Sequence, residues 1–380
     1  MKLHCSRVSL LLALSLAAAC SSGVEEMPAP MGPDAVPGSE VHLVLEDLTH
    51  ELVDSSGSPG KAIGLVVGVA TPNARYIAGF GSTEKNGATA PDQHSIFDLA
   101  SLSKVYTGYL LARGILNNEV QLNDAANDYL QANLQSFDEQ PITLLDLATH
   151  TSALPNYPDN LTNPNRVNPA AGYTLDLLNA FLESYLPLGP PGVRYQYSNL
   201  GSGLLAHILV SQAGEPDFQA LIDREINQAY DLVDTFVYPS QAQQARKLQG
   251  YSEGLPAPAL EIGQPLQGGG ALRSTAAEVL SFLEGAISGD DPAWTQVIKA
   301  QRPSPNGVNA FTGFLLNMET PESVLVYSKN GGAPGFSTQI VFTLDPPAAV
   351  VLLSNTSGTK GLYNAGKQIL REMQSVPQFR

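Results

Sequence analysis

The stretch FDLASLSKVYTGYLLARGIL, residues 97–116, places a serine three residues before a lysine at the start of a helical pattern. Apolar residues precede Ser101, and an unbroken helical run follows it. Residues three apart on a helix share a face, so the side chains of Ser101 and Lys104 can be neighbours. A helix N-terminus also presents free backbone N–H groups and a partial positive charge. The stretch therefore predicts either a nucleophilic serine with a lysine base or a serine that only caps a helix.

Three other Ser-x-x-Lys pairs occur in the chain, and each lies in a context typical of loops. Pro and Gly follow Ser58, an Asn-Gly turn follows Ser82, and glycines flank the segment that contains Ser357. Gly, Pro and Asn are the residues that turns require. Ser101 is therefore the candidate nucleophile.

A serine and a lysine alone do not make a complete site. A lysine acts as a base only where burial or a second cation destabilises its ammonium form, and another group must pass a proton to the leaving group. Two further polar motifs follow in the sequence, YSN at residues 197–199 and KNGG at residues 329–332. Of the fourteen tyrosines, only Tyr197 has an asparagine two residues later. The ordered set is far more specific than any one of its members.

These ordered motifs resemble those of the serine β-lactamase and penicillin-binding protein superfamily. The Tyr-x-Asn form is typical of its class C-like branch, which contains class C β-lactamases, DD-carboxypeptidases and family VIII esterases. The segments LATHTSALP, residues 147–155, and GGGALRSTAAEVLSFL, residues 268–283, are similar to further segments of that branch. The resemblance covers roughly residues 60–355 and implies a hydrolase that works through a covalent acyl-enzyme.

The resemblance implies a role for each motif residue. Ser101 would be acylated, while Lys104 and Tyr197 would share the role of base. We expect the ammonium groups of Lys104 and Lys329 to hold down the pKa of the Tyr197 phenol. The amide of Asn199 would hold Lys104 and the acyl-side amide of the substrate.

The last motif would bind the substrate and its developing charge. The backbone N–H groups of Ser101 and Gly332 would form the oxyanion hole. Gly331 and Gly332 would let a substrate lie against the strand as an added strand. Asn330 stands where the family usually has Thr or Ser, whose hydroxyl helps to bind a carboxylate. This departure argues against penicillin hydrolysis and strict D-Ala-D-Ala recognition more than it argues against acyl transfer itself. We interpret His150, within the first family-like segment, as structural.

Strand patterns lie at both ends of the chain and helical patterns lie between them. Residues 61–70 and 74–82 predict a hairpin, and residues 39–56 and 362–373 carry helical patterns. Four more strands are predicted, at residues 311–317, 323–330, 337–344 and 348–355. The fold class is therefore α/β (α+β): an antiparallel sheet from both termini, flanked by helices, with an inserted mostly helical domain. The resemblance implies a β-lactamase/transpeptidase-like fold.

The first residues predict export. Residues 1–20 have a basic start, an apolar run and small residues before Cys20, which is typical of a secretory signal. The closing LAAAC resembles a lipobox, so lipidation of Cys20 is favoured over an ordinary signal peptide. Residues 21–38, rich in Pro, Gly and Ser, predict a disordered tether. The residue after Cys20 is Ser21 and not the aspartate that is associated with inner-membrane retention, so a periplasmic lipoprotein of the outer membrane is favoured.

The remaining residues, 39–375, predict one serine hydrolase domain, with an α/β part at 39–100 and 295–375 and a helical part at 101–294. The full chain has a net charge of −16, which argues against nucleic acids and anionic lipid surfaces as binding partners. Membrane contact is expected only through the N-terminal lipid. We expect a monomer with neither metal nor cofactor.

Three functions stay open from the sequence. The favoured substrates are a peptidoglycan stem peptide, as for a D-alanyl-D-alanine carboxypeptidase, or a β-lactam. The second possibility is an esterase that uses the same acyl-enzyme on a small ester. The third is a non-catalytic penicillin-binding sensor that keeps the fold.

Overall fold

A computed structural model describes residues 39–161, 163, 168–304, 310–321, 324–373, 375, 376 and 379. The predicted signal peptide, the lipidation site at Cys20 and the tether at 21–38 lie outside these residues. The described residues belong to one compact unit. The division of that unit into an α/β part and a helical part remains a prediction.

Eight strands form one antiparallel sheet in the order β2-β1-β12-β11-β10-β9-β8-β7. Two further pairs, β3 with β6 and β4 with β5, form small antiparallel ladders. The twelve strands are β1 Gly64–Thr71, β2 Ala74–Gly81, β3 Ile96–Asp98, β4 Tyr251–Ser252, β5 Leu255–Pro256, β6 Arg273–Thr275, β7 Arg302–Pro303, β8 Phe311–Thr312, β9 Asn317–Glu319, β10 Val326–Ala333, β11 Phe336–Leu344 and β12 Pro347–Ser354. The prediction of an antiparallel sheet built from both termini is confirmed.

The described residues also form eleven α-helices. They are α1 Glu40–Thr49, α2 Ser103–Leu116, α3 Leu144–Ala148, α4 Leu175–Ser184, α5 Asn199–Gln212, α6 Phe218–Ile222, α7 Gln228–Tyr230, α8 Gln241–Arg246, α9 Ala276–Ser288, α10 Pro292–Val297 and α11 Leu362–Met373. A π-turn at Asp223–Asn227 joins α6 to α7, and 3₁₀ turns lie at Ala100–Leu102 and Gln264–Gly269.

Helices cover both faces of the sheet. On one face, Val67 and Leu352 pack with Leu45 of α1 and Ile369 of α11. On the other face, neighbouring strand residues such as Val351 join the larger core that contains α2, α5 and α9. Successive strand residues point to opposite faces, so strands covered on both sides become continuously apolar. This explains why VVLL in β12 is buried throughout.

One predicted strand is wrong. The run FTGFLLN, residues 311–317, does not form a single strand but bends between β8 and β9, where Gly313 N donates to Leu316 O at 2.9 Å. Leu315 has a left-handed φ of +56°. The three apolar residues 314–316 are almost completely buried in the larger core. Their hydrophobicity anchors a turn, which a single sequence cannot distinguish from a buried strand.

The predicted helix after the candidate nucleophile is confirmed, with a short 3₁₀ turn at its start. Ser101 lies in the turn Ala100–Leu102, and α2 continues from Ser103. No side chain caps this helix start. The simple interpretation of Ser101 as a helix cap is therefore wrong, and its hydroxyl is free for other contacts.

Candidate active site

The segment that carries Ser101 is held by hydrogen bonds from three directions. Thr338 of β11 donates from Oγ1 to Leu99 O at 3.0 Å. Ser103 Oγ donates to Ala100 O at 2.7 Å and accepts from Leu272 N at 3.0 Å. Ala100 has a left-handed φ of +50°, a conformation that costs a non-glycine residue about 1–2 kcal/mol. The surrounding contacts hold this strained turn and fix the position of the next residue, Ser101.

Two polar groups converge on the hydroxyl of Ser101. Lys104 Nζ lies 3.2 Å from Ser101 Oγ, and Tyr197 OH lies 2.6 Å from it. Lys104 stands one helical turn further along α2, and Tyr197 precedes the start of α5. The structure therefore brings together the three residues that the sequence predicts as catalytic.

Lys104 is completely buried and lacks a carboxylate partner among the described residues. Its Nζ donates to Asn199 Oδ1 at 2.6 Å and to the carbonyl oxygen of Gly269. Burial, and secondarily the charge of Lys329, holds the pKa of Lys104 well below its usual value. A neutral amine has two N–H bonds, which match these two acceptors, and one lone pair, which remains for the Ser101 hydroxyl. This arrangement suits a general base.

Tyr197 lies between two lysine side chains. The Nζ atoms of Lys104 and Lys329 lie 4.8 Å and 5.1 Å from the centre of its ring. The expectation that these cations hold down the pKa of the phenol is wrong, because burial of the side chain raises that pKa and outweighs the hydrogen bond to Ser101. Tyr197 therefore stays protonated and is suited to donate a proton.

Lys329 lies on β10 and is 97% shielded from solvent. Its Nζ makes no hydrogen bond or ion pair with the part of the chain that the structure describes, apart from its approach to the Tyr197 ring. Burial lowers the pKa of Lys329 to about 8. A buried, unpaired ammonium beside Tyr197 attracts an anionic group of a ligand.

The two glycines that follow differ in their surroundings. A Cβ on Gly331 would collide with Leu99 O and Thr338 Oγ1, so β10 approaches the Ser101 segment as closely as only glycine permits. A Cβ on Gly332 would meet no atom within 4 Å, because this residue faces open space. Strand β9 pairs with β10 only at residues 326–328, so residues 329–333 have β11 as their pairing strand and keep the other edge open.

A cavity of about 460 Å³ opens beside Ser101. It contains Ser101, Asn199 and Gly332 among its lining residues, together with apolar groups such as Ile262 and Phe336. Asn330 does not line it. Because neighbouring strand residues alternate in direction, Asn330 points away from Lys329, and it lines a second cavity of about 490 Å³. The predicted substrate-binding residues are therefore together except for Asn330.

Sequence reasoning missed two groups of the site. Gly269 contributes a backbone carbonyl to Lys104, and no sequence signal marks a carbonyl for such a role. Asn156 Oδ1 accepts from Asn199 N at 3.1 Å and from Asn199 Nδ2 at 2.9 Å. These contacts orient the Asn199 amide so that its oxygen faces Lys104. Asn156 lies in a Pro/Asn-rich loop whose composition indicates only a turn.

The chain resembles proteins of a known family over most of its length. The family model described as "Beta-lactamase" matches residues 45–372. The chain belongs to the β-lactamase family. The predicted membership of the β-lactamase family is thereby confirmed.

Individual relatives of this β-lactamase-family chain include a peptidase and β-lactamases. It is 30% identical over 241 residues to the D-alanyl-D-alanine-carboxypeptidase/endopeptidase AmpH of Escherichia coli K12, an alignment covering 62% of this chain and 59% of AmpH. The chain thus spans about three fifths of that relative. It is 24% identical over 351 residues to a β-lactamase of Providencia stuartii, covering 82% of this chain and 86% of the relative.

Solved structures share the fold of this family member. A β-lactamase/D-alanine carboxypeptidase from Yersinia pestis aligns with a TM-score of 0.74 and 22% identity, covering 87% of this chain and 98% of that one. A class C β-lactamase from Rhodobacter sphaeroides aligns with a TM-score of 0.73 and 20% identity, covering 88% and 99%.

Proposed function

We propose that the protein is a serine hydrolase that cleaves peptide or lactam amide bonds through an acyl-enzyme on Ser101, most of all as a D-alanyl-D-alanine carboxypeptidase. The observation that carries this proposal is the position of Ser101 Oγ between Lys104 Nζ and Tyr197 OH. A hydroxyl placed between a neutral amine and a protonated phenol has a base to activate it and an acid for the leaving group.

Acylation begins when neutral Lys104 accepts the Ser101 hydroxyl proton. Oγ then forms a bond to the substrate carbonyl carbon, and the carbonyl oxygen becomes an oxyanion between the backbone N–H groups of Ser101 and Gly332. One such donor contributes roughly 3 kcal/mol to a transition state. The C–N bond breaks as Tyr197 gives its proton to the leaving nitrogen, and the Lys104 ammonium then returns a proton to Tyr197. The products are the acyl-enzyme and a free amine.

Deacylation uses water as the second nucleophile. Lys104, again neutral, removes a proton from water as the water oxygen bonds to the ester carbon, and its ammonium then supplies the proton that Ser101 Oγ regains. The bond to Ser101 Oγ breaks, Oγ regains a proton, and a carboxylic acid leaves. Neither step requires a metal or a cofactor.

The surroundings of the nucleophile favour a substrate that carries a carboxylate. Lys329 is buried, its Nζ lies 5.1 Å from the centre of the Tyr197 ring, and it lacks an ion-pair partner within the described residues. A C-terminal carboxylate, or the carboxylate of a β-lactam, satisfies it. Since Asn330 faces the other cavity, Lys329 performs this recognition without help from the residue after it. The resemblance to AmpH favours peptidoglycan stem peptides as the natural substrates.

Mass spectrometry of the domain from residue 39 during incubation with a penicillin tests the proposal. We expect a mass increase equal to the drug, located on Ser101 and lost in Ser101→Ala. Ser58→Ala is the matched control, because Ser58 also begins a Ser-x-x-Lys pair but bonds to Asp54 far from Lys104. A lasting adduct indicates a peptidase, and an adduct that clears as drug is consumed indicates a β-lactamase.

Two other outcomes decide the alternatives. Acylation by small esters but not by penicillin or D-Ala-D-Ala peptides would assign the protein to the esterases. A permanent penicillin adduct without turnover of any peptide or ester would identify a sensor. Activity unchanged in Ser101→Ala would contradict the proposal altogether.

We further propose that the protein is an exported, periplasmic lipoprotein anchored through Cys20, and a monomer. The basic and apolar residues 1–20 support export, and LAAAC supports lipidation. In the described part of the chain, every helix is too short or too polar to cross a bilayer. Labelling cells with a palmitate analogue should mark the full chain and not Cys20→Ser, with Cys5→Ser as the control. Equal labelling of the two variants would contradict the anchor.

A further inference from the structure

His150 touches the catalytic tyrosine from a separate element. It follows the helix α3 by two residues, at the start of the segment that joins α3 to α4. Its ring centre lies 4.6 Å from that of Tyr197 and 5.6 Å from that of Tyr195. Its side chain is completely enclosed, with 2% of the residue exposed. The mechanism proposed above leaves this residue without a role.

His150 accepts two hydrogen bonds from the backbone N–H groups of the residues just before and just after Tyr197. The carbonyl oxygen of His150 accepts from Gln196 N at 2.6 Å, and its ring atom Nδ1 accepts from Ser198 N at 3.3 Å. The residues on both sides of Tyr197 are therefore fixed to one histidine, and the ring of that histidine packs against the phenol. A displacement of His150 moves the chain on both sides of the catalytic hydroxyl.

The protonation state of His150 matches this acceptor role. Nδ1 accepts a hydrogen bond from Ser198 N, so the neutral ring carries its own proton on Nε2. Burial, together with the charges of Lys329 and Lys104, holds the pKa of His150 well below its usual value and keeps the ring neutral. The Nε2 atom is shielded from solvent and has no hydrogen-bond partner within the described residues. Buried donors without a partner are uncommon in folded proteins, so this position has a cost that packing alone does not explain.

The backbone of His150 is also strained. Its φ is +56°, in the left-handed region. The segment is held there by α3, whose Asp146 forms a capping box with Thr143 and an ion pair with Arg302 at 2.9 Å. Strained, rigidly supported positions of this kind concentrate at functional sites.

We infer that His150 is a positioning residue, which holds the hydroxyl of Tyr197 against Ser101 by bracketing the backbone of Tyr197 and packing against its ring. This inference rests on the proposed function. It predicts that replacing His150 lowers kcat because the hydroxyl of Tyr197 is displaced. Substrate binding by Lys329 and the cavity should stay unchanged. Misplacement of a reacting group by about 1 Å is enough to cost on the order of 10²-fold in rate.

Steady-state kinetics of His150 variants test the inference, after acylation of Ser101 has been established for the unmodified protein. His150→Leu fills the space without an acceptor, and we expect kcat to fall about tenfold or more with KM changed less than twofold. His150→Asn keeps an acceptor near the position of Nδ1 and tolerates a left-handed φ, so it should recover most of the activity. The matched control is His207→Leu on α5, which should keep kcat unchanged because His207 lies outside the site.

A second background separates positioning from general stability. In Tyr197→Phe the hydroxyl is absent, so His150→Leu should cause no further loss of the residual kcat. If His150→Leu does not fold, His150→Gly removes Nδ1 without backbone strain and enters the same comparison. The inference is overturned if His150→Leu, or His150→Gly in its place, keeps the unmodified kcat, or if its loss is as large in Tyr197→Phe as in the unmodified background. Failure of the unmodified protein to acylate Ser101 contradicts the proposed function instead.

Discussion

At the scale of single residues, the site is characterised by two buried lysines whose Nζ atoms both lie over one phenol ring. Removing a lysine ammonium from water disfavours its charged form. Lys104, with only neutral acceptors around it, is driven toward the neutral amine, while Lys329 keeps a pKa of about 8. One residue type thus provides both a base and a cation near neutral pH. Burial lowers the pKa of both side chains, and the charge of Lys329 lowers that of Lys104 further.

These two lysines predict opposite limbs of a pH profile. Lys104 must lose its proton to act, so kcat/KM rises as pH increases through its lowered pKa. Lys329 must keep its proton to bind a carboxylate, so kcat/KM for an anionic substrate falls as pH rises above about 8. A neutral ester should lack this alkaline limb. Profiles of kcat/KM for an anionic and a neutral substrate check the prediction.

Replacement of Lys329 by Met should remove the alkaline limb and shift the acid limb to higher pH. The shift follows because the charge of Lys329 is one of the two causes that lower the pKa of Lys104. An alkaline limb that persists near pH 8 in Lys329→Met would assign it to another group.

The same lysine is expected to cost stability. The pKa of Lys329 in the folded state, about 8, lies below the ordinary 10.5, so the unfolded chain binds the proton more tightly. This penalty, at most about 3 kcal/mol, is complete below pH 8 and disappears as pH rises toward 10.5. Lys329→Met should therefore raise the free energy of unfolding at pH 7 by about 1–3 kcal/mol. Urea denaturation at pH 7 and pH 10 measures it, and an equal gain at both pH values would contradict the cause given.

At the scale of elements, strand β10 lies along one side of the site. The position of Gly331 against Leu99 and Thr338 brings the strand close to the nucleophile, whereas the next residue opens into the cavity. The two adjacent glycines therefore serve different purposes. One permits close packing, and the other leaves room for a ligand.

A matched pair of substitutions separates these purposes. Gly331→Ala forces a methyl group onto Leu99 O and Thr338 Oγ1, and we expect a loss of about 1–3 kcal/mol of stability. Gly332→Ala adds the same methyl group in open space, so its melting temperature should stay unchanged while KM rises. Thermal denaturation and steady-state kinetics of the two variants check this. Equal destabilisation by both substitutions would contradict the assignment.

Much of the secondary structure could be predicted from the sequence. Strands β1, β2, β11 and β12 and helix α11 have the predicted positions, because apolar patterns of the right length specify buried strands and an amphipathic helix. The bend at residues 313–316 was not accessible, because Phe314 and its neighbours are equally apolar in a strand or in a buried turn. The motif order of Ser101, Tyr197 and Lys329 predicted residues that the structure brings together, but the carbonyl of Gly269 and the direction of Asn330 depend on tertiary packing.

At the scale of the whole molecule, a buried ionic cluster joins the nucleophile segment to distant parts of the chain. Asp98 is completely buried on β3, three residues before Ser101. Arg273 Nε of β6 lies 2.8 Å from one carboxylate oxygen, and Lys247 Nζ lies 3.1 Å from the other. Arg273 also donates to Val237 O and Leu260 O. One carboxylate therefore connects β3, β6 and the segment after α8 beneath the site.

Asp98→Asn tests this connection. The substitution leaves two largely buried cations beside a neutral amide, and breaking a buried ion pair in this way costs about 3–5 kcal/mol. We expect a loss of that order in urea denaturation, with a parallel loss of acylation because the Ser101 segment shifts. Glu51→Gln is the control, since Glu51 pairs with Lys61 at an exposed site, where such pairs contribute less than about 1 kcal/mol. Similar stability of the two variants would show that the cluster does not hold the fold together.

The sheet also sets the order in which this chain can fold. Its second strand in space, β1, lies between β2 and β12, and Leu65 pairs with Ser354. The hairpin of β1 and β2 is therefore synthesised long before the strand that completes its other edge. During that interval an apolar ladder edge remains unpaired and open to association with other chains. Ribosomes that stop before residue 347 release chains that contain the whole Ser-x-x-Lys helix but lack a central strand. Folding is consequently a late, slow event that depends on contacts distant in sequence.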